Sequence, residues 1–164
     1  MTEDGTAQAR RSSTTVPSSA LWLGAFGAIP FLGLAGATPF LSGPEKLLAA
    51  HTLAAYGAVI LSFLGGVHWG LAVGSDHSSG GGKLSARLAV SVIPSLVGWA
   101  SLLIGEAVGL FILAAAFAAM LLVDLRAARL GEAPPWYPGL RIPLSLMVIA
   151  ALLVGAWTAV AGRT

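Results

Sequence analysis

Leu47–Val73 reads LLAAHTLAAYGAVILSFLGGVHWGLAV, without an Asp, Glu, Lys or Arg. A helix of about 20 mainly apolar residues crosses the ~30 Å hydrocarbon core of a bilayer. This stretch exceeds that length, so it tilts or projects outward. Four more stretches of the same character surround it: Ala20–Leu41, Leu88–Ile104, Ala107–Val123 and Ile142–Ala161. The whole chain is 56% hydrophobic and 10% charged, with mean hydropathy +0.84. A soluble domain carries nearer ~25% charged residues. The fold class is therefore an all-α integral membrane protein, a bundle of five transmembrane helices.

The basic residues orient it. Threaded through five spans, Arg10, Arg11, Lys83, Arg87, Arg126, Arg129 and Arg141 fall on one side, and only Lys46 and Arg163 on the other; together these are all nine Lys and Arg of the chain. Basic loops are retained on the cytoplasmic side, which predicts the N-terminus inside and the C-terminus outside. An even number of crossings would scramble the split. The net charge of +2 reflects these inner-face arginines, so nucleic-acid binding is not read from it. The chain has no cysteine, which excludes disulfides and thiolate metal sites.

Residues 1–19 are polar and rich in Ser and Thr, the composition of a disordered cytoplasmic tail; residues 20–164 form the transmembrane domain. A signal peptide is the rival reading, with Ala35-Gly36-Ala37 as its cleavage triplet, but the apolar run extends past an ordinary h-region to Leu41. Ser12–Thr15 follows Arg10-Arg11 where a twin-arginine signal would need apolar residues.

The spans carry distinct punctuation. Gly24, Gly27, Pro30, Gly33, Gly36 and Pro39 recur every third residue in the first, predicting a kinked or broken helix. Ser42 and Glu45 are spaced as a capping box for the second. Within it, Ser62, Gly66, Gly70 and Gly74 lie four apart, a small-residue stripe for close helix packing. Packing within the chain is expected, with a second copy as the alternative. In the third span Ser91 and Ser95 flank Pro94 and can take up freed carbonyls. Gly105-Glu106 is a tight link that makes spans three and four a hairpin, span four is alanine-rich, and Pro143 introduces span five. All five tryptophans fall toward the headgroup boundaries, where indole rings prefer to lie.

His68 is the leading candidate for chemistry, because a polar group at that depth is costly. Asp124 or Arg87 is its expected partner, and Ser62, Ser91 and Ser95 complete the candidate polar site. A hydrogen-bonded structural histidine is the plainer reading. His51 lies about 25 Å away along the same helix at ~1.5 Å per residue, too far to share a ligand, and is expected to meet Glu45 or Glu106. Gly80-Gly81-Gly82-Lys83 lacks both the Ser or Thr and the preceding strand of a phosphate loop. Pro134-Pro135-Trp136-Tyr137-Pro138 reads as a rigid aromatic turn, a membrane anchor or partner surface. No catalytic residue, metal site or cofactor is expected.

Several segments carry a likeness: Ile29-Pro30-Phe31, the run from Tyr56 to Gly70 (YGAVILSFLGGVHWG), Pro94-Ser-Leu-Val-Gly-Trp99, and Pro135-Trp136-Tyr137 with Leu140-Arg141. The chain resembles the bacterial and mitochondrial family typified by transmembrane protein sixty-nine, a domain of unknown function. The resemblance implies a five-helix protein of the bacterial inner membrane, or of the mitochondrial inner membrane in eukaryotic relatives, and brings no activity or site residue with it. The leading expectation is a non-enzymatic accessory or assembly subunit of a membrane complex, partnered by the bilayer and by other membrane subunits or itself. The alternative is a small-molecule transporter or ligand-binding protein with its site near His68.

Overall fold

The computed structural model describes residues 15–74 and 81–161, with the backbone alone at 81–83. Five helices follow one another: α1 (Ser18–Ala37, continued by a 3-10 turn over Thr38–Phe40), α2 (Gly43–Gly74), α3 (Gly81–Ser101), α4 (Glu106–Arg129) and α5 (Tyr137–Ala161). All five are long and apolar enough to span a membrane, and no strand occurs among the described residues. Of the expected N-terminal tail, residues 1–14 lie outside the described residues, as do 75–80 of the loop after α2, whereas Ser18 and Ser19 already belong to α1.

The bundle closes around α2, α4 and α5. Leu53 and Leu61 of α2, Leu110 and Leu113 of α4, and Leu152 of α5 are all 0% exposed, with Phe31 of α1 beside them. The Phe31 ring stands 4.9 Å from Tyr56 and edge-on to Phe117 at 6.0 Å, an arrangement that aromatic quadrupoles favour. Large apolar side chains such as Leu23, Phe63, Leu96, Leu122 and Trp157 point outward, as lipid-facing residues do. In lipid no hydrophobic force draws helices together, so close backbone approach supplies the packing. A Cβ at Gly65 would strike the Ser91 carbonyl oxygen, one at Gly109 the Ser101 carbonyl, and one at Gly98 the Ala58 backbone.

These approaches fix the threading. Gly65 meets Ser91 and Pro94 while Gly98 meets Ala58, so α2 and α3 run antiparallel. Gly109 against Ser101 closes the expected α3–α4 hairpin at the Gly105 link. His68 meets Asp124, and Asp124 meets Arg141. The end of α2, the end of α4 and the start of α5 therefore share one end of the bundle, with Arg87, Arg126 and Arg129.

Four local expectations are corrected. α1 is continuous through Pro30, so it is not broken there; α2 and α5 flank it, and the Tyr56 hydroxyl ties it to α2 by donating to the Gly27 carbonyl at 3.0 Å, the support from neighbouring helices that lets membrane helices tolerate proline. The entry to α2 is made by backbone, at Gly43 with φ +54°, a conformation that favours glycine; no hydrogen bond joins Ser42 to Glu45 among the described residues. Gly66, Gly70 and Gly74 meet nothing within 4 Å. Gly57 and Gly65, on the opposite side of α2, face Leu113 and α3 instead, because α3 lies on that side. Finally, Pro143 lies inside α5, which starts at Tyr137; the Pro-Trp-Tyr turn is thus the helix entry and puts Arg141 one turn into the helix.

Candidate functional site

Asp124 lies about 8 Å from the C-terminal end of α4, at ~1.5 Å per residue over five residues, and is 1% exposed. Three side chains converge on it. Arg141 donates its Nε–H to Oδ2 at 2.5 Å. His68 Nε2 lies 2.8 Å from Oδ1, and the Tyr137 hydroxyl donates to the same oxygen at 3.3 Å. Which of His68 Nε2 and Asp124 Oδ1 donates in that bond is set by the tautomer of the imidazole. Tyr137 and Arg141 are four residues apart and share a face of α5. A buried carboxylate is tolerable only when paired and hydrogen-bonded, and these three groups, from α2 and α5, meet that need. The Arg141 Nη2 and Ser145 Oγ atoms are buried without a partner.

His68 faces two environments. Its side chain is 15% exposed, and it lines a cleft of about 730 Å³ between α2, α3 and α4, within the ~300–1,000 Å³ of ordinary ligand sites. α3 is held against α2 at Gly65 and Gly98 and against α4 at Gly109 beside the hairpin, and the cleft lies between the three helices. Val90, Val97, Ile112, Ala119 and Met120 make its walls apolar. Val90 and Ile93 on its rim are 54% and 53% exposed, so it opens sideways to the lipid.

The charged end of the cleft holds Arg87, Arg126 and Glu132. Glu132 is placed by the way α4 stops. The Glu132 amide donates to the Ala127 carbonyl at 2.9 Å and the Gly131 amide to Ala128 at 3.1 Å, with Gly131 at φ +74°. These are the paired bonds of a Schellman motif, which favours glycine at the left-handed position. Glu132 is thereby held opposite α3, where its carboxylate pairs with Arg87.

The candidate polar residues separate into two sets. His68 and Asp124 meet directly, as expected, whereas Arg87 pairs with Glu132 rather than with His68. Ser91 lines the cleft, but its hydroxyl donates to the Leu88 carbonyl at 2.7 Å, not to the Val90 carbonyl that Pro94 leaves free. Ser62 donates to Ala58 at 2.8 Å, and neither it nor Ser95 lines the cleft. His51 is exposed at the other end of α2. Tyr137 and Arg141 were missing from the expected site. Their spacing of four, on a helix that starts before Pro143, is the signal that points to them. Among the described residues no three His, Cys, Asp or Glu side chains gather to hold a metal.

Residues 16–157 match the family described as Protein of unknown function (DUF3429). The chain belongs to that family. It is 36% identical over 135 residues to Transmembrane protein 69 of Xenopus tropicalis, covering 75% of this chain and 51% of the relative. To Transmembrane protein 69 of Mus musculus it is 31% identical over 141 residues, covering 84% and 55%. The chain spans about half the length of the curated relatives it matches. No solved structure matches it. This DUF3429 member is thus a multi-pass transmembrane protein whose relatives are named for the membrane, not for a reaction.

Proposed function

We propose that this protein is a non-enzymatic membrane protein that binds a small amphiphile in the cleft between α2, α3 and α4, with its charged mouth on the cytoplasmic side of a bacterial inner membrane. The observation that carries this is the cleft itself: apolar walls open to lipid, ending at His68, Arg87 and Arg126. Membrane ligand sites combine apolar surface with a few convergent polar groups, and an intramembrane histidine is a functional position by default. Asp124 and Arg141 hold the His68 ring on the cleft wall. The cytoplasmic assignment follows from the excess of basic residues at that end.

The test is mild-detergent purification from native membranes, followed by mass spectrometry of the extracted small molecules. The parent protein is expected to carry a reproducible amphiphile that Ala119→Phe, which fills the cleft, loses. Equal small-molecule content in both proteins would overturn the reading.

A second reading, an accessory or assembly subunit, is favoured by one observation. Gly66, Gly70 and Gly74 form an outward-facing strip of bare backbone on α2, the surface on which another membrane helix packs closely. A stoichiometric protein partner held by the parent and lost in Gly70→Leu would carry that reading.

A further inference from the structure

We infer that the amphiphile of the cleft has an anionic head, phosphate or carboxylate, and that Glu132 occupies the head's binding position while the cleft is empty. This rests on the amphiphile reading above and names the ligand class for the same site.

The cleft is graded along its length. From Arg126 to Ile112 is fourteen residues of α4, about 21 Å at ~1.5 Å per residue, and the lining changes from charged to wholly apolar over that distance. A ligand matching it has one charged end and a long tail that leaves through the rim at Val90 and Ile93. The sign of the head follows from the mouth. Two guanidinium groups, Arg87 and Arg126, and the His68 ring line it, against the single carboxylate of Glu132. Arg126 has no carboxylate partner among the described residues. Guanidinium groups bind phosphate and carboxylate through paired parallel hydrogen bonds, and basic pockets between helices at the cytoplasmic face suit anionic lipid heads.

Glu132 then acts as an internal stand-in for the head. Its side chain is 38% exposed and that of Arg87 is 37% exposed, and ion pairs so wetted are weak. Its backbone, by contrast, is fixed by the Schellman bonds. The carboxylate can therefore swing off Arg87 without unfolding α4, and an entering anion takes over the guanidinium. Glu132 lowers affinity for the ligand by competition, whereas Arg87 raises it.

The experiment is native mass spectrometry of the full chain in a neutral detergent. It is titrated with phosphatidylglycerol, with diacylglycerol of the same acyl chains, which lacks the phosphate, and with glycerol phosphate. The parent is expected to hold phosphatidylglycerol about tenfold better than diacylglycerol, the worth of one charge-assisted hydrogen bond. Arg87→Gln is expected to abolish that preference. Glu132→Gln is expected to increase phosphatidylglycerol binding severalfold, a gain that a misfolded variant cannot produce. Equal retention of both lipids, with both lost in Ala119→Phe, overturns the anionic head and leaves the amphiphile reading standing. Lipid binding unaffected by Ala119→Phe overturns both. Glycerol phosphate binding as tightly as phosphatidylglycerol overturns the amphiphile in favour of a free phosphate ion.

Discussion

Arg141 donates its Nε–H to Asp124 across 2.5 Å, joining α5 to α4 inside the bundle where neither charge is more than a tenth exposed. Each charge is tolerable there because of the other, with His68 and Tyr137 completing the hydrogen bonds of the carboxylate. Removing one partner of a buried pair leaves an unmatched charge, whereas replacing both by apolar groups is often neutral.

Asp124→Leu alone is therefore expected to destabilise the bundle by about 3–5 kcal/mol, read as a lowered melting temperature in detergent. The double variant Asp124→Leu with Arg141→Met is expected to recover most of that loss. A double variant as unstable as the single one would show that the ion pair is not what Asp124 contributes.

Glycines on opposite sides of α2 are expected to differ sharply. Gly65→Ala drives a methyl into the Ser91 carbonyl and should cost about 1–3 kcal/mol, the range for overpacking. Gly70→Leu points into open space and should leave the melting temperature of the isolated protein unchanged. Equal destabilisation by both would contradict the placement of α3.

The Tyr56 hydroxyl bonds to the Gly27 carbonyl and ties α1 to α2. Tyr56→Phe keeps the ring against Phe31 and is expected to cost about 0.6 kcal/mol, the average for such bonds between membrane helices. A loss several times larger would mean that the hydroxyl does more than hold α1.

Orientation is directly measurable because the chain has no native cysteine. A single cysteine at Pro135, beside the basic end, is expected to react with a membrane-impermeant maleimide only from the cytoplasmic side. One at Ser42, at the opposite end, is expected to react only from outside. The reverse pattern would invert the topology read from the arginines.

Hydropathy made the five helices legible, because a segment of twenty apolar residues has few other fates. The α3–α4 hairpin was legible from the short Gly105-Glu106 link. The pairing of His68 with Asp124 was legible in part, since two costly polar groups at one depth seek each other. The face of α2 that packs was not. Gly65 and Gly66 are adjacent and equally small, and the spacing of four singled out Gly66, Gly70 and Gly74. Only the position of α3 made Gly65 the one that touches.

Arg141 illustrates the same limit. In the sequence it reads as one more cytoplasmic loop arginine, because Pro143 is the residue that introduces the last span. Starting α5 at Tyr137 placed it inside the helix and against Asp124. By itself the sequence determined that this protein crosses a membrane as five helices, because burial in lipid depends on local composition alone. Only the tertiary structure decided which polar groups meet, which glycines are covered and where α3 leaves α4, because these depend on how the helices rotate and tilt against one another, which hydropathy does not encode.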